Sequence, residues 1–261
     1  MFVEGGLSIM QQYPASAILD VCVEAGRVML ENGAETYRVE DTLYRIAKSY
    51  HLENINVFVV PTALIITVQG NDGLDHTELL RMNDRITNLE KVSMVNDLSR
   101  QLAKKALPPK RVTEKLNNIK NTPTNFTRLQ RNTAMAVACG GFTFLFGGSY
   151  MEVLPAVIAG GLGHFLFEVV NNWTNVSFFA EMVASFFIGL LALVFTAIGF
   201  GQDLNVIIIS SVMSLVPGMA ITNSFRDLMA GHLLAGVAVL AKALLTAGAI
   251  GIGIAIVLAF L

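Results

Sequence analysis

Residues 152–170 read EVLPAVIAGGLGHFLFEVV, and residues 177–200 read SFFAEMVASFFIGLLALVFTAIGF. Both runs are apolar throughout and match the roughly 20 residues an α-helix needs to cross a hydrocarbon core. Polar and apolar positions do not alternate, so these are helices and not barrel strands. The pattern extends in both directions into five runs, at about 132–149, 152–170, 177–200, 204–222 and 232–261. Glycine-rich or polar breaks separate them, at Gly147 to Ser149, Asn171 to Asn175, Gly201 to Asp203 and Asn223 to Asp227.

Charge divides the chain at the same place. Only 15% of the 261 residues are charged and the mean hydropathy is +0.57, against about 25% charged in soluble domains. Of 18 Lys and Arg only Arg226 and Lys242 lie beyond residue 131, and of 20 Asp and Glu only five do. The expected organisation is a cytoplasmic α+β domain over 1–107, a basic linker over 108–131 and a transmembrane bundle of about five helices over 132–261. Nine Lys and Arg fall between Arg100 and Arg131, a positive cluster that marks the cytoplasmic side. An odd number of spans then puts the C-terminus outside a cell (inner) membrane. Met1 to Gln12 lacks a basic stretch followed by an apolar run, so no signal peptide is expected. A net charge of −2 speaks against a nucleic-acid partner. Cys22 and Cys139, one in each half, read as buried thiols and not as a disulfide.

Within the polar half, Ile18, Val21, Cys22, Ala25, Val28 and Met29 repeat at helical spacing, and Asn32-Gly33 is a stop signal. A second helix is expected from Thr36 to Tyr50. β-Branched runs at 55–60 and 63–69 flank Pro61-Thr62 and read as a tight hairpin; 76–82 reads as a third strand. The helical period returns over 88–106, giving the order ααβββα.

An ionisable group inside a bilayer costs about 2.5–3.5 kcal/mol on insertion scales, so each one is a functional candidate. Glu152 sits at a span edge. His164 and Glu168, four apart, form either a structural pair or a proton relay. Glu181 lies just inside the third span, and Lys242 either snorkels or faces a cavity. In the last span Gly231, Ala235, Ala243, Ala247, Gly251, Ala255 and Ala259 follow a stride of four, broken only by Val239, that permits close helix packing and oligomers. The densest group is 216–228. Pro217 and Gly218 can break a helix, and Asn223, Arg226 and Asp227 bring an amide, a cation and a carboxylate within about one turn. The bland alternative is a cytoplasmic turn with a local ion pair.

The arrangement of Pro217, Gly218, Asn223, Arg226, Asp227, Leu228 and Gly231 resembles the threonine/serine exporter family. Gly33 to Glu40 and Pro61-Thr62 resemble that family's N-terminal domain, and the likeness runs over about residues 15–255. The resemblance implies export of small carboxylate solutes, threonine and serine or a dicarboxylate, driven by an ion gradient. Family members occur as one long chain or as two smaller proteins. This chain resembles the larger subunit of the split form, whose bacterial example is linked to succinate export, and a small membrane subunit of the same family would be its partner. On this reading Pro217, Gly218, Asn223, Arg226, Asp227 and Lys242 line the solute path, while Asp227, Glu181, His164 and Glu168 are coupling candidates.

In the polar domain Glu35, Arg38, Glu40, Pro61, Thr62 and Arg81 are candidates for a gate or docking surface, with helix-surface pairing of Glu35 and Arg38 as the plain alternative. No HExxH, GxSxG or Walker motif is present, and His51 and His76 lack ligand-spaced partners. Neither an enzyme nor a cofactor or metal is therefore expected. The competing reading is a membrane-anchored enzyme or sensor in which the N-terminal domain is the working part.

Overall fold

A computed structural model describes residues 13–70, 73–82, 86–123, 126–174, 176 and 178–259. Its contacts divide the chain into two units, Met1–Thr124 with Asn223–Val239, and Asn125–Thr222 with Leu240–Leu261.

The first unit begins with α1 (Ala15–Glu31) and α2 (Thr36–Ser49), continues through β1 (Glu53–Val60), β2 (Ala63–Gln69) and β3 (Asp75–Arg81), and closes with α3 (Leu89–Lys104) and α4 (Pro109–Asn121). The sheet is antiparallel in the order β1-β2-β3. Pro61 and Thr62 form the two-residue turn between Val60 and Ala63, which pair. Along β2, Leu64, Ile66 and Val68 are buried and alternate residues face away, as the period of two requires. They meet Val21, Val28 and Met29 of α1, Val39, Leu43 and Ile46 of α2, and Val95 and Leu102 of α3 in one core.

The expected linker is partly a correction. Residues 109–121 form α4, with Pro109 inside its first turn, where a missing N–H breaks no helical bond. Val112 and Leu116 are fully buried in the core and Ile119 packs against it. Charged and polar residues, among them Lys110, Arg111, Lys115 and Lys120, occupy most of the rest of the helix, so its apolar stripe is too narrow to stand out from the charge run.

In the second unit, α5 (Arg128–Leu145) starts on a capping box between Thr127 and Gln130, followed by α6 (Tyr150–Thr174), α7 (Phe179–Ala197) and the short α8 (Leu204–Val212). The helices α9 (Gly218–Met229) and α10 (Leu233–Leu258) each run from one unit into the other. Among the described residues three helices are long and apolar enough to cross a membrane: α6, α7 and α10. Five were expected. The run at 132–149 belongs to a helix whose first turn carries Arg128 and Arg131, leaving its apolar part short. The run at 204–222 is cut where Pro217 cannot donate a helical hydrogen bond.

The chain is a membrane protein, and the packing of this unit suits a lipid solvent. α6 buries Ala156, Ala159, Gly160 and Gly163, and α7 buries Ala184, Ser185, Ile188, Gly189 and Ala192. The large residues Leu162, Phe165, Leu190 and Val194 are exposed. Small residues inside and large ones outside is the arrangement expected where lipid, not water, surrounds the bundle. A Cβ at Gly160 would collide with the Cys139 side chain. The small-residue stripe of the last span is only partly the packing face. Ala235 and Ala243 are buried, but Ala247, Gly251, Ala255 and Ala259 are exposed. A stride of four drifts by about 40° per step on a helix of 3.6 residues per turn, and the buried line instead follows Ala243, Thr246, Ile250, Gly253 and Val257.

Leu116→Ala should destabilise the first unit by about 2–4 kcal/mol, seen as a lower thermal midpoint of the full chain in detergent. An unchanged midpoint would mean that α4 is not part of this core.

Candidate functional site

The turn between α1 and α2 positions the site. Gly33 takes a φ of +83°, a left-handed conformation that side chains disfavour, and the turn is pinned from the α3 side. The Ile86 N–H donates to the Glu31 carbonyl at 2.8 Å and the Asn88 N–H to the Asn32 carbonyl at 3.0 Å. Glu35 therefore stands in extended backbone immediately before α2, with its side chain only 10% exposed.

Its carboxylate joins two arginines. Arg38 Nε lies 2.9 Å from Oε2, and Arg226 Nη1 lies 2.6 Å from Oε1, 191 residues away in sequence. The next pair of residues repeats the link in the opposite sense, since the Thr36 hydroxyl donates to Asp227 Oδ2 at 3.3 Å. Asp227 is 3% exposed, and the start of α2 is the positive end of a helix, which favours a carboxylate there. A third link joins His232 Nδ1 to Glu40 Oε1 at 3.6 Å. Glu40 also accepts a hydrogen bond from the Val59 N–H at 3.2 Å. All these residues belong to the first unit.

The arrangement is a clasp of fixed polarity: acid, hydroxyl and acid from α2 meet cation, acid and imidazole from the 226–232 segment. Arg226 and Asp227, offered as a local ion pair in the bland reading, point about 100° apart as helix neighbours and reach Glu35 and Thr36 respectively. Arg38 is held firmly cationic, first by a side-chain hydrogen bond to Tyr37 and, against the cost of burial, by Glu35. Burial pushes the Glu40 carboxyl above the ordinary range and Asp227 adds to this, while His232 and the Val59 N–H oppose it.

Of the residues expected to matter, Glu35, Arg38, Glu40, Arg226 and Asp227 come together here. Asn223 is half-buried on α9 and Gly218 opens that helix. Pro61, Thr62 and Arg81 lie at one end of the hairpins and make none of the clasp's bonds among the described residues. In the second unit, Glu168 pairs with Arg131 at 3.0 Å and not with His164. His164 Nδ1 and Glu181 Oε2 are buried without a hydrogen-bond partner among the described residues. Glu152 is a local brace: it accepts from the Ser149 N–H and hydroxyl at 2.8 and 2.6 Å, and from the Gln202 N–H at 3.2 Å. Lys242 is exposed on α10. No group of three metal-ligating side chains occurs among the described residues. Thr36 lies inside the stretch Gly33 to Glu40 that carries the family resemblance, and His232 is one of the ionisable candidates of the apolar half; neither had been given a role in a site.

A family model described as "Putative threonine/serine exporter" matches residues 20–261. A protein of Mycobacterium tuberculosis named "Probable threonine/serine exporter" is 23% identical over 240 residues, which is 92% of this chain. The match covers 45% of that protein, so the chain spans about half its length. Proteins named "Probable succinate transporter subunit YjjP" in Klebsiella aerogenes and Escherichia coli are each 22% identical. Those matches cover 85% and 88% of this chain and 85% and 89% of theirs. No solved structure matches the chain.

Two measurements check the clasp. A double-mutant cycle of Glu35→Gln and Arg226→Ala on thermal stability should give a coupling of roughly 0.5–1 kcal/mol, because Arg226 is half exposed; additive effects would show that the pair is not formed. The raised pKa of Glu40 has a definite sign. Its contribution to stability is complete below the ordinary carboxylate pKa and is lost as pH rises through the higher folded-state value. Glu40→Gln should therefore flatten the decline in stability from about pH 4 towards neutrality, and an unchanged pH profile would refute the assignment.

Proposed function

The chain belongs to the threonine/serine exporter family, and we propose that it is one subunit of a secondary exporter that moves small carboxylate solutes out of the cell. The observation that carries this reading is the contact between Arg226 and Glu35 at 2.6 Å. A guanidinium that follows a proline-broken helix already holds a carboxylate, and a solute's carboxylate fits the same fork. In this mechanism Glu35 occupies Arg226 in the closed state. An incoming threonine, serine or dicarboxylate replaces it, and the 226–232 segment is released from α2.

The solute path follows Pro217, Gly218, Asn223 and Arg226, with Lys242 as a further cation. Helix breaks of this kind expose backbone groups that can line a polar cavity. Asp227 parts from Thr36 when the clasp opens, and this buried carboxylate is the first candidate for coupling to a proton gradient. Glu181 and His164, each with a buried atom that has no hydrogen-bond partner among the described residues, are the next, and Glu168 is held by Arg131. The N-terminal domain lies in the cytoplasm and the C-terminal end outside, following the basic cluster of 100–131. A small membrane subunit supplies the remaining spans, in keeping with the word "subunit" in the names of two relatives.

The test is efflux of preloaded radiolabelled succinate, threonine and serine from cells making this chain with and without a small partner of the family. Saturable efflux that needs the partner and collapses with the proton gradient is expected. Arg226→Ala should reduce it at least about tenfold, the loss of one charged hydrogen bond of about 1.5–3 kcal/mol. Glu35→Gln should lower the half-saturating solute concentration by removing the internal competitor. Normal export by a well-expressed Arg226→Ala chain would remove the site. No efflux of any solute, with both proteins in the membrane, would favour a membrane-anchored enzyme or sensor.

A further inference from the structure

The first unit contains an open groove of about 420 Å³ between α2 and the edge strand β1. Tyr37, Glu40, Asp41 and Tyr44 line one wall and Ile55, Asn56 and Val57 the other. The four α2 residues share one helix face by their spacing of three and four, and the opposite face, with Val39, Leu43 and Ile46, is in the core. β1 has no strand on its outer side among the described residues. The Val59 N–H points outward, since it donates to Glu40. Alternate residues share that direction in an antiparallel ladder, so Val57 also presents its main-chain N–H and C=O to the groove.

The charges of the lining have one sign. No Lys, Arg or His is among its residues. Asp41 is neutralised by Arg45, which leaves Glu40 with a main-chain N–H and an imidazole 3.6 Å away. The chain itself shows what the aromatic wall accepts, because the Lys48 ammonium sits 5.5 Å from the centre of the Tyr44 ring. Ring faces attract cations in this way. An anionic solute would meet the Glu40 carboxylate here, so the groove is distinct in chemistry from the carboxylate-holding Arg226.

We propose that this groove is a binding site for a small organic cation, a primary ammonium on a short apolar body. The ammonium pairs with Glu40 between the Tyr37 and Tyr44 rings, the apolar body lies along Ile55 and Val57, and the Val57 carbonyl accepts a hydrogen bond from one ammonium N–H. The site stands independently of the exporter reading. One consequence does rest on that reading: a cation on Glu40 competes with His232, so occupancy loosens the third link of the clasp.

The test is a ligand-observed NMR titration of the full chain in detergent with n-butylamine, using n-butanol and butyrate as neutral and anionic counterparts of equal length. Saturable binding of the amine is expected, with neither counterpart displacing it. Glu40→Gln should weaken binding at least about tenfold and Tyr44→Ala about threefold or more, whereas Glu114→Gln, on the exposed face of α4, should leave it unchanged. Circular dichroism checks that each variant folds. Displacement by n-butanol at equal concentration, or unchanged binding in folded Glu40→Gln and Tyr44→Ala, would overturn the proposal, as would the absence of saturable binding. No transport is measured, so failure here leaves the efflux result standing, and the reverse.

Discussion

The carboxylate of Glu35 is the constraint on which the first unit is arranged. A carboxylate with a tenth of its side chain exposed loses most of its hydration and needs partners that restore it. Arg38 supplies one from a single helical turn away, and Arg226 supplies the other from the far end of the sequence. Placing Glu35 between them requires the chain to reverse sharply after α1. The left-handed Gly33 permits that turn, and two hydrogen bonds from 86–88 hold it. Thr36 and Glu40 then take their places on the same side of α2, while Val39, Leu43 and Ile46 turn to the core.

The second unit answers a different solvent. Burial of large side chains gains little in lipid, so many of the contacts are made by small residues and by polar atoms satisfied on neighbouring backbones, with Ile188 and Ile207 as large side chains fully buried among them. Ser211 donates to the Ala156 carbonyl and Cys139 to that of Ser211, which ties α5, α6 and α8 through one buried layer. Pro217 then prevents α8 from continuing as one span with α9. A continuous helix would satisfy its own backbone, whereas a broken one leaves groups open to other partners.

How much of this could be read from the sequence depended on how local the cause was. The hairpin at Pro61-Thr62 and the core faces of α1 and α2 follow from neighbours in the chain, and they stand where the periodicities put them. The break expected at Asn223 to Asp227 does not, since those residues lie inside α9 and the helix is interrupted ahead of Gly218 instead. α4 escaped because three apolar positions, Val112, Leu116 and Ile119, lie in a lysine-rich run, and only the core they enter makes them a helix face. The span count failed because hydropathy runs ignore where a helix begins: α5 starts at Arg128, behind its capping box, and spends its first turn on charge. Glu35 and Arg226 were each suspected for separate reasons. Nothing in the spacing of two residues 191 positions apart reveals a contact of 2.6 Å.

Magnitudes decide whether such a clasp can work as a gate. Arg226 is 48% exposed and His232 about a quarter, so each pair contributes in the range of roughly 0.2–1 kcal/mol. The Thr36–Asp227 hydrogen bond adds about 1 kcal/mol. The closed form is then favoured by on the order of 2 kcal/mol, or about thirtyfold. That is enough to keep the segment closed without solute, yet small enough for a ligand to reverse by binding the open form about a hundredfold more tightly. Arg38 matters here because it stays with Glu35 when Arg226 leaves. Opening does not strand an unpaired carboxylate at low exposure, a loss that would cost 3–5 kcal/mol for a fully buried pair. The second arginine keeps the cost of opening within reach of a small solute.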